Sequence, residues 1–177
     1  MRVDKLTTKF QEALSEAQTL ALGADHAYIE PSHLLVALLR QDDGPRALLL
    51  RAGVNIAGLL KDAEEAMHKL PQVQGQEQVQ VGRDLISLMQ AAEKDAMKRG
   101  DQFIASELFL LALSDAKSDL AQKAKQHGLT RQSLSSAVEA LRGGDKVNSA
   151  DAEGQREALK KYCMDLTERA RSGKLDP

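Results

Sequence analysis

Four histidines, one cysteine and a Gly-Lys pair are the residues of this chain best suited to chemistry. His26, His33, His68 and His127 are dispersed and show no zinc-ligand spacing with the cysteine or with each other. They read as surface, cap or packing residues. Cys163 has no neighbouring histidine to activate it, so a catalytic thiol is not indicated. Gly173-Lys174-Leu175 lacks the Ser/Thr and the upstream glycine of a phosphate loop. No Gly-x-Ser-x-Gly elbow occurs. The reading is therefore no catalytic residues, no metal and no cofactor in this chain, and the elements around these residues carry the information.

Those elements are said twice. Ile29 matches Ile104, Leu35 matches Leu110, Ala37 matches Ala112 and Leu38 matches Leu113 at one offset of 75 residues. Gly53 with Gly128, Leu59 with Leu134, Ala17 with Ala92, Ala21 with Ala96 and Glu64 with Glu139 continue it without a gap. A constant offset over that length predicts a duplicated helical unit.

Composition agrees. The 177 residues are 42% hydrophobic but only 3% aromatic, with no Trp. A core of Leu, Ala, Ile and Val favours packed helices. The 24 basic and 26 acidic residues leave a net charge of −2 and form no basic stripe, which argues against nucleic acid. The longest apolar run, Leu34 to Leu39, is far short of the ~20 residues of a membrane helix. The polar start lacks a signal-peptide stretch, and a single cysteine fits a reducing cytosol.

Along the chain, Thr7 or Thr8 caps a first helix bearing Phe10, Ala13, Leu14, Ala17 and Ala21, with Gly23 as its left-handed stop. Pro31 and Pro45 open two more helices. Asn55 caps a fourth that Pro71 ends. Residues 71–82 are Gln-rich and read as a connector. Their Val/Gln alternation could also be a short strand, with no evident partner. The second copy repeats the plan, with Gly100, Ser106 as a cap, Gly128, Thr130 as a cap, and Gly143-Gly144 as the end. The division is 1–142 for the domain (repeat one 1–70, connector 71–82, repeat two 83–142), then a flexible linker 143–154, then a helix over 155–177. That last stripe has no partner within the repeat, so it is expected to dock elsewhere or to belong to a longer chain.

Three stretches together resemble the ClpB-type AAA+ disaggregases: Met1-Arg2-Val3-Asp4-Lys5-Leu6-Thr7; Ile29-Glu30-Pro31-Ser32-His33-Leu34-Leu35 with its echo Phe103-Ile104-Ala105-Ser106-Glu107-Leu108; and Ala158 through Pro177. The resemblance spans the chain and implies an all-α Clp N-terminal repeat domain, a pseudo-twofold duplicated four-helix repeat, followed by a linker that leads to an absent ATPase module. It implies a substrate-recognition domain that binds exposed segments of unfolded or aggregated proteins and passes them to an ATP- and Mg-dependent homohexameric ring working with the DnaK system in the cytoplasm. This piece is expected to be monomeric. An adaptor-docking domain of a Clp protease unfoldase is the alternative, and the tail argues against it.

By the same resemblance, the substrate-binding positions fall on Thr7, Asp101 and Glu107, with Leu108 for the apolar part of a groove. Each also has a plain reading. Thr7 suits a helix cap, Glu107 a helix N-terminus, and Asp101 a turn after Gly100. One observation stands apart from the family: at the 75-residue offset Asp101 faces His26 and Glu107 faces Ser32. The acidic pair exists in one copy only, which fits a one-sided site.

Overall fold

The computed structural model describes residues 2–75 and 77–153, so the expected helix over 155–177 lies outside the described residues. Eight α-helices form among them, four per copy. Copy one holds α1 (Thr8–Gly23), α2 (Pro31–Arg40), α3 (Arg46–Arg51) and α4 (Ile56–His68). Copy two holds α5 (Arg83–Arg99), α6 (Ser106–Asp115), α7 (Asp119–Gln126) and α8 (Arg131–Arg142).

The starts follow the capping chemistry. Thr7 accepts from the Phe10 N–H, Asn55 from Gly58, Ser118 from Ala121 and Thr130 from Ser133. Each satisfies a backbone donor that has no partner within its helix. Two expectations change. Ser106 is the first helical residue of α6, with Ala105 at the cap position. Gly23 ends α1 but the left-handed residue is Asp25, at φ 60. Asp tolerates that region better than most side chains.

The two copies share one core. Within copies α1 packs on α2 and α5 on α6; between copies α3 meets α8 and α4 meets α7, two contacts that a twofold exchanges. Phe10 of α1 and Phe109 of α6, both fully buried, tilt against each other with ring centroids 6.4 Å apart. The matched pairs Leu35/Leu110, Leu38/Leu113 and Leu59/Leu134 are all buried, so the repeat in sequence is a repeat of core positions.

The connector does contain a strand, and its partner lies in the first copy. β1 (Tyr28–Ile29) pairs in parallel with β2 (Gln80–Val81). Leu6 bridges Ile104 in the same sense, 75 residues on from neither partner alone but from the pair exchanged. Each copy's entry segment thus crosses to the other copy, a long-range pairing that local alternation does not reveal.

Gly53 and Gly128 meet at this twofold. Both have positive φ, at 79 and 96, and a Cβ on Gly128 would lie 2.9 Å from the Gly53 carbonyl oxygen. A Cβ on Gly53 would have open space. Gly128→Ala is therefore expected to destabilise by about 2–3 kcal/mol and Gly53→Ala by only ~1–2 kcal/mol. Urea denaturation of the two variants checks this, and equal losses would remove the steric part of the explanation.

Candidate functional site

The residues singled out in sequence meet on one side of copy two, and a residue outside that set joins them. Asp101 follows the left-handed Gly100 that ends α5. Glu107 sits in the first turn of α6. Between them lies Arg142, the last residue of α8. Its Nη1 donates to Asp101 Oδ2 at 2.9 Å and Oδ1 at 3.1 Å, while Nε donates to Glu107 Oε1 at 2.8 Å. Nη2 lies 2.6 Å from the same Glu107 oxygen. The three side chains are only 6%, 0% and 4% exposed for Arg142, Asp101 and Glu107. Burial opposes the Arg142 charge, but the Glu107 and Asp101 carboxylates outweigh it and hold its pKa above the ordinary value.

The acidic pair is thus the anionic part of a buried ion triad. Neither carboxylate faces solvent in this state. The signal that could have found Arg142 was present: its 75-residue counterpart is Met67, a third mismatch beside His26 and Ser32. In copy one His26, the counterpart of Asp101, pairs with His33 instead. His26 Nδ1 and His33 Nε2 are 2.8 Å apart, and both rings are buried. His33 Nδ1 accepts the Glu30 N–H, so its proton sits on Nε2 and is donated to His26. No spacing rule in the sequence joins these two histidines.

Thr7 is fully buried, and its hydroxyl both caps α1 and donates to Glu153 Oε1 at 2.5 Å. Glu153 belongs to the segment expected as a flexible linker. Its described residues make hydrogen bonds to the domain. Gly143 and Gly144 take φ 58 and 90 and turn the chain back, and residues 145–153 lie along the domain. The Val147 N–H donates to Asp101 Oδ1 at 3.0 Å, and its carbonyl accepts from Gln102 and Phe103 at 2.9 and 3.1 Å. Backbone partners order a segment whose side chains alone would not.

Leu108 is also fully buried, and it borders a hollow with Lys94, Lys98, Asp115 and Arg131, while the apolar groove of this surface lies elsewhere. That groove is a cavity of about 280 Å³ between the N-terminal segment, α1 and α5, lined by Val3, Leu6, Leu14, Val81, Leu85, Ile86, Met89 and Gln90. Val3, Val81 and Ile86 are large hydrophobics left 53%, 43% and 43% exposed. Leu6 and Thr7 are neighbours in the chain, so the groove begins where the polar cluster ends. Sequence reading missed it because its walls come from both copies and from the connector.

Residues 5–127 match the family model of the Clp repeat (R) N-terminal domain. The chain belongs to the Clp N-terminal repeat domain family. The Chaperone protein ClpB of Vibrio vulnificus (strain YJ016) is 48% identical over 179 residues, covering 100% of this chain and 21% of the relative. That of Pseudomonas putida is 46% identical with the same coverage. The chain therefore spans about a fifth of the curated relatives it matches. Among solved structures, the N-terminal domain of Hsp104 from Candida albicans superposes with a TM-score of 0.74 at 19% identity, covering 84% of this chain and 99% of that one. A complex of the ClpV N-domain with a VipB peptide gives 0.66 at 21% identity, covering 80% and 89%. These two share the Clp N-domain fold. Among the described residues, no helix of this domain is long and apolar enough to cross a membrane.

Proposed function

We propose that this domain captures exposed apolar segments of unfolded or aggregated proteins and hands them to an ATP-driven ring formed by the rest of its parent chaperone. The observation that carries the reading is the open apolar groove between Val3, Val81 and Ile86. A folded domain of this size has little reason to leave three large aliphatic side chains together on one rim unless they are covered by a partner. An unfolded chain supplies that cover, since its apolar residues are exposed. The ClpB relatives are chaperones by name, and the ClpV N-domain is known with a bound peptide, so peptide capture by this fold is chemically reasonable. DnaK, the homohexamer and the cytoplasm belong to the same proposal.

Affinity is expected to be weak, because the groove is small and ordering a client segment is costly. Replacing Val81 and Ile86 together by Asp should weaken binding to a carboxymethylated, permanently unfolded protein by about 10–30-fold, given roughly 1 kcal/mol per half-exposed aliphatic side chain. Both sites are on the surface, so the melting temperature should hold within a few degrees. NMR titration reads both. Shifts that avoid the groove, or an unchanged affinity in the double variant, would place client capture elsewhere. Binding only to a folded adaptor would favour the docking role instead.

A further inference from the structure

The strap of residues 145–153 occupies groups that a peptide segment would use. Beneath it lie the N–H groups of Gln102 and Phe103, the Asp101 carboxylate, the Thr8 N–H and the Thr7 hydroxyl. The Val147 carbonyl accepts from Gln102 and Phe103 while its N–H donates to Asp101, Thr8 donates to the Ala150 carbonyl at 2.9 Å, and Thr7 donates to Glu153. The domain offers three N–H donors to the carbonyls of Val147 and Ala150 and one carboxylate acceptor to the Val147 N–H, which backbone atoms of any sequence can meet, and from Ser149 on the strap bends and turns. Only Val147, at 3% exposure, inserts an apolar side chain.

Copy one has the equivalent contact and shows what differs. There Gln72 bridges His26, at the 75-residue counterparts of Val147 and Asp101. That connector runs directly into β2 and α5 and is held on both sides. Its Gln72 side chain is exposed, where Val147 is buried. The strap instead swings from Gly143-Gly144, where an added Cβ would meet nothing within 4 Å. Of its residues only Val147 and Glu153 are buried. Few anchoring side chains on a glycine hinge make a contact that opens readily.

We propose that residues 145–153 are a built-in competitor for client segments: a peptide segment with a small aliphatic residue at the Val147 position displaces the strap and takes its place across Asp101, Gln102, Phe103 and Thr8. This rests on the client-capture reading and adds a second, backbone-reading subsite beside the apolar groove, one regulated by the chain itself. It also returns Thr7 and Asp101 to the peptide side of the function: they are buried because a peptide, the chain's own, is already on them. A strap tethered next to its site acts at high effective concentration, so client affinity is reduced by the fraction of molecules in which it is docked.

The test uses the 177-residue chain. Val147→Asp puts a second carboxylate at a buried position beside Asp101, and should release the strap. Two readouts are expected: faster hydrogen exchange at the Thr8, Gln102 and Phe103 amides, and about tenfold tighter binding of a carboxymethylated unfolded protein, as for a site about 90% covered beforehand. A synthetic peptide of residues 144–153 should displace that client from the variant, and a scrambled one should not. Glu153→Ala, which loosens the strap without touching an apolar contact, should give the same signs at about threefold and decides the matter if Val147→Asp does not fold. Faster exchange with unchanged or weaker client binding overturns the competitor. Unchanged exchange in a folded variant overturns the strap as what covers these amides. Absence of client binding in every form, wild type included, is instead a failure of the client-capture reading itself.

Discussion

Arg142→Met is expected to lose about 3–5 kcal/mol of stability, the magnitude for removing one partner from a buried charge network. Methionine is what copy one carries at this place, so size and helix preference are not the issue. The substitution leaves Asp101 and Glu107 buried with no cation between them. Each must then be protonated, hydrated by local opening, or held as an unpaired charge in a low-dielectric site. A domain of this size has about 5–15 kcal/mol in total, so the loss should move the melting temperature by roughly 10 °C or more. The informative control is Asp101→Asn, Glu107→Gln and Arg142→Met together. With no charge left to strand, the triple variant should be more stable than the single one, because burying the intact triad is itself opposed by desolvation. A single variant as stable as wild type would mean that the triad is solvated in solution.

His33 carries the second large effect, and it is read with pH. Burial first, and the His26 ring second, push its pKa from 6.5 down to about 4. The geometry explains why protonation is resisted. A protonated His33 would turn an N–H toward the Glu30 N–H that its Nδ1 now accepts, setting donor against donor. Because the folded pKa is depressed below the unfolded one, the contribution is present above pH 6.5 and is lost as pH falls toward 4. Its full size is on the order of 3 kcal/mol. NMR titration of the histidine rings should find His33 neutral at pH 5.5, and urea curves should show stability falling across the same window. His33→Leu, which copies Leu108 at the counterpart position, should flatten that part of the pH dependence. A His33 ring that titrates near 6.5 would sink the argument.

These two sites share one matched position, His26 with Asp101, and that sharpens what the repeat means. Matched positions such as Leu59 with Leu134 became core, as hydrophobic periodicity implies. Mismatched ones became a neutral histidine pair in copy one and an ion triad in copy two. Asp101 and Glu107 were legible as unusual from the offset alone. Their partner was equally marked by Met67 against Arg142, but a lone arginine at a helix end ordinarily reads as solvated dipole chemistry. Leu108, marked from its place beside Glu107, is buried on the inward face of α6 and borders a different hollow, between α5 and α6, from the apolar groove at Leu6.

The sequence by itself determined the eight described helices, most of their caps and the twofold plan, because helix periodicity, capping and left-handed glycines act within a few residues of one another. Tertiary structure alone decided the rest. The crossed pairings of β1 with β2 and of Leu6 with Ile104, the apolar groove and the burial of Thr7, Asp101 and Glu107 all join residues distant in the chain. The strap is the clearest case. Residues 145–153 have the composition of a loose linker, and what orders them is a row of backbone hydrogen bonds. Backbone groups are identical at almost every residue, so no side-chain pattern announces where they will find partners.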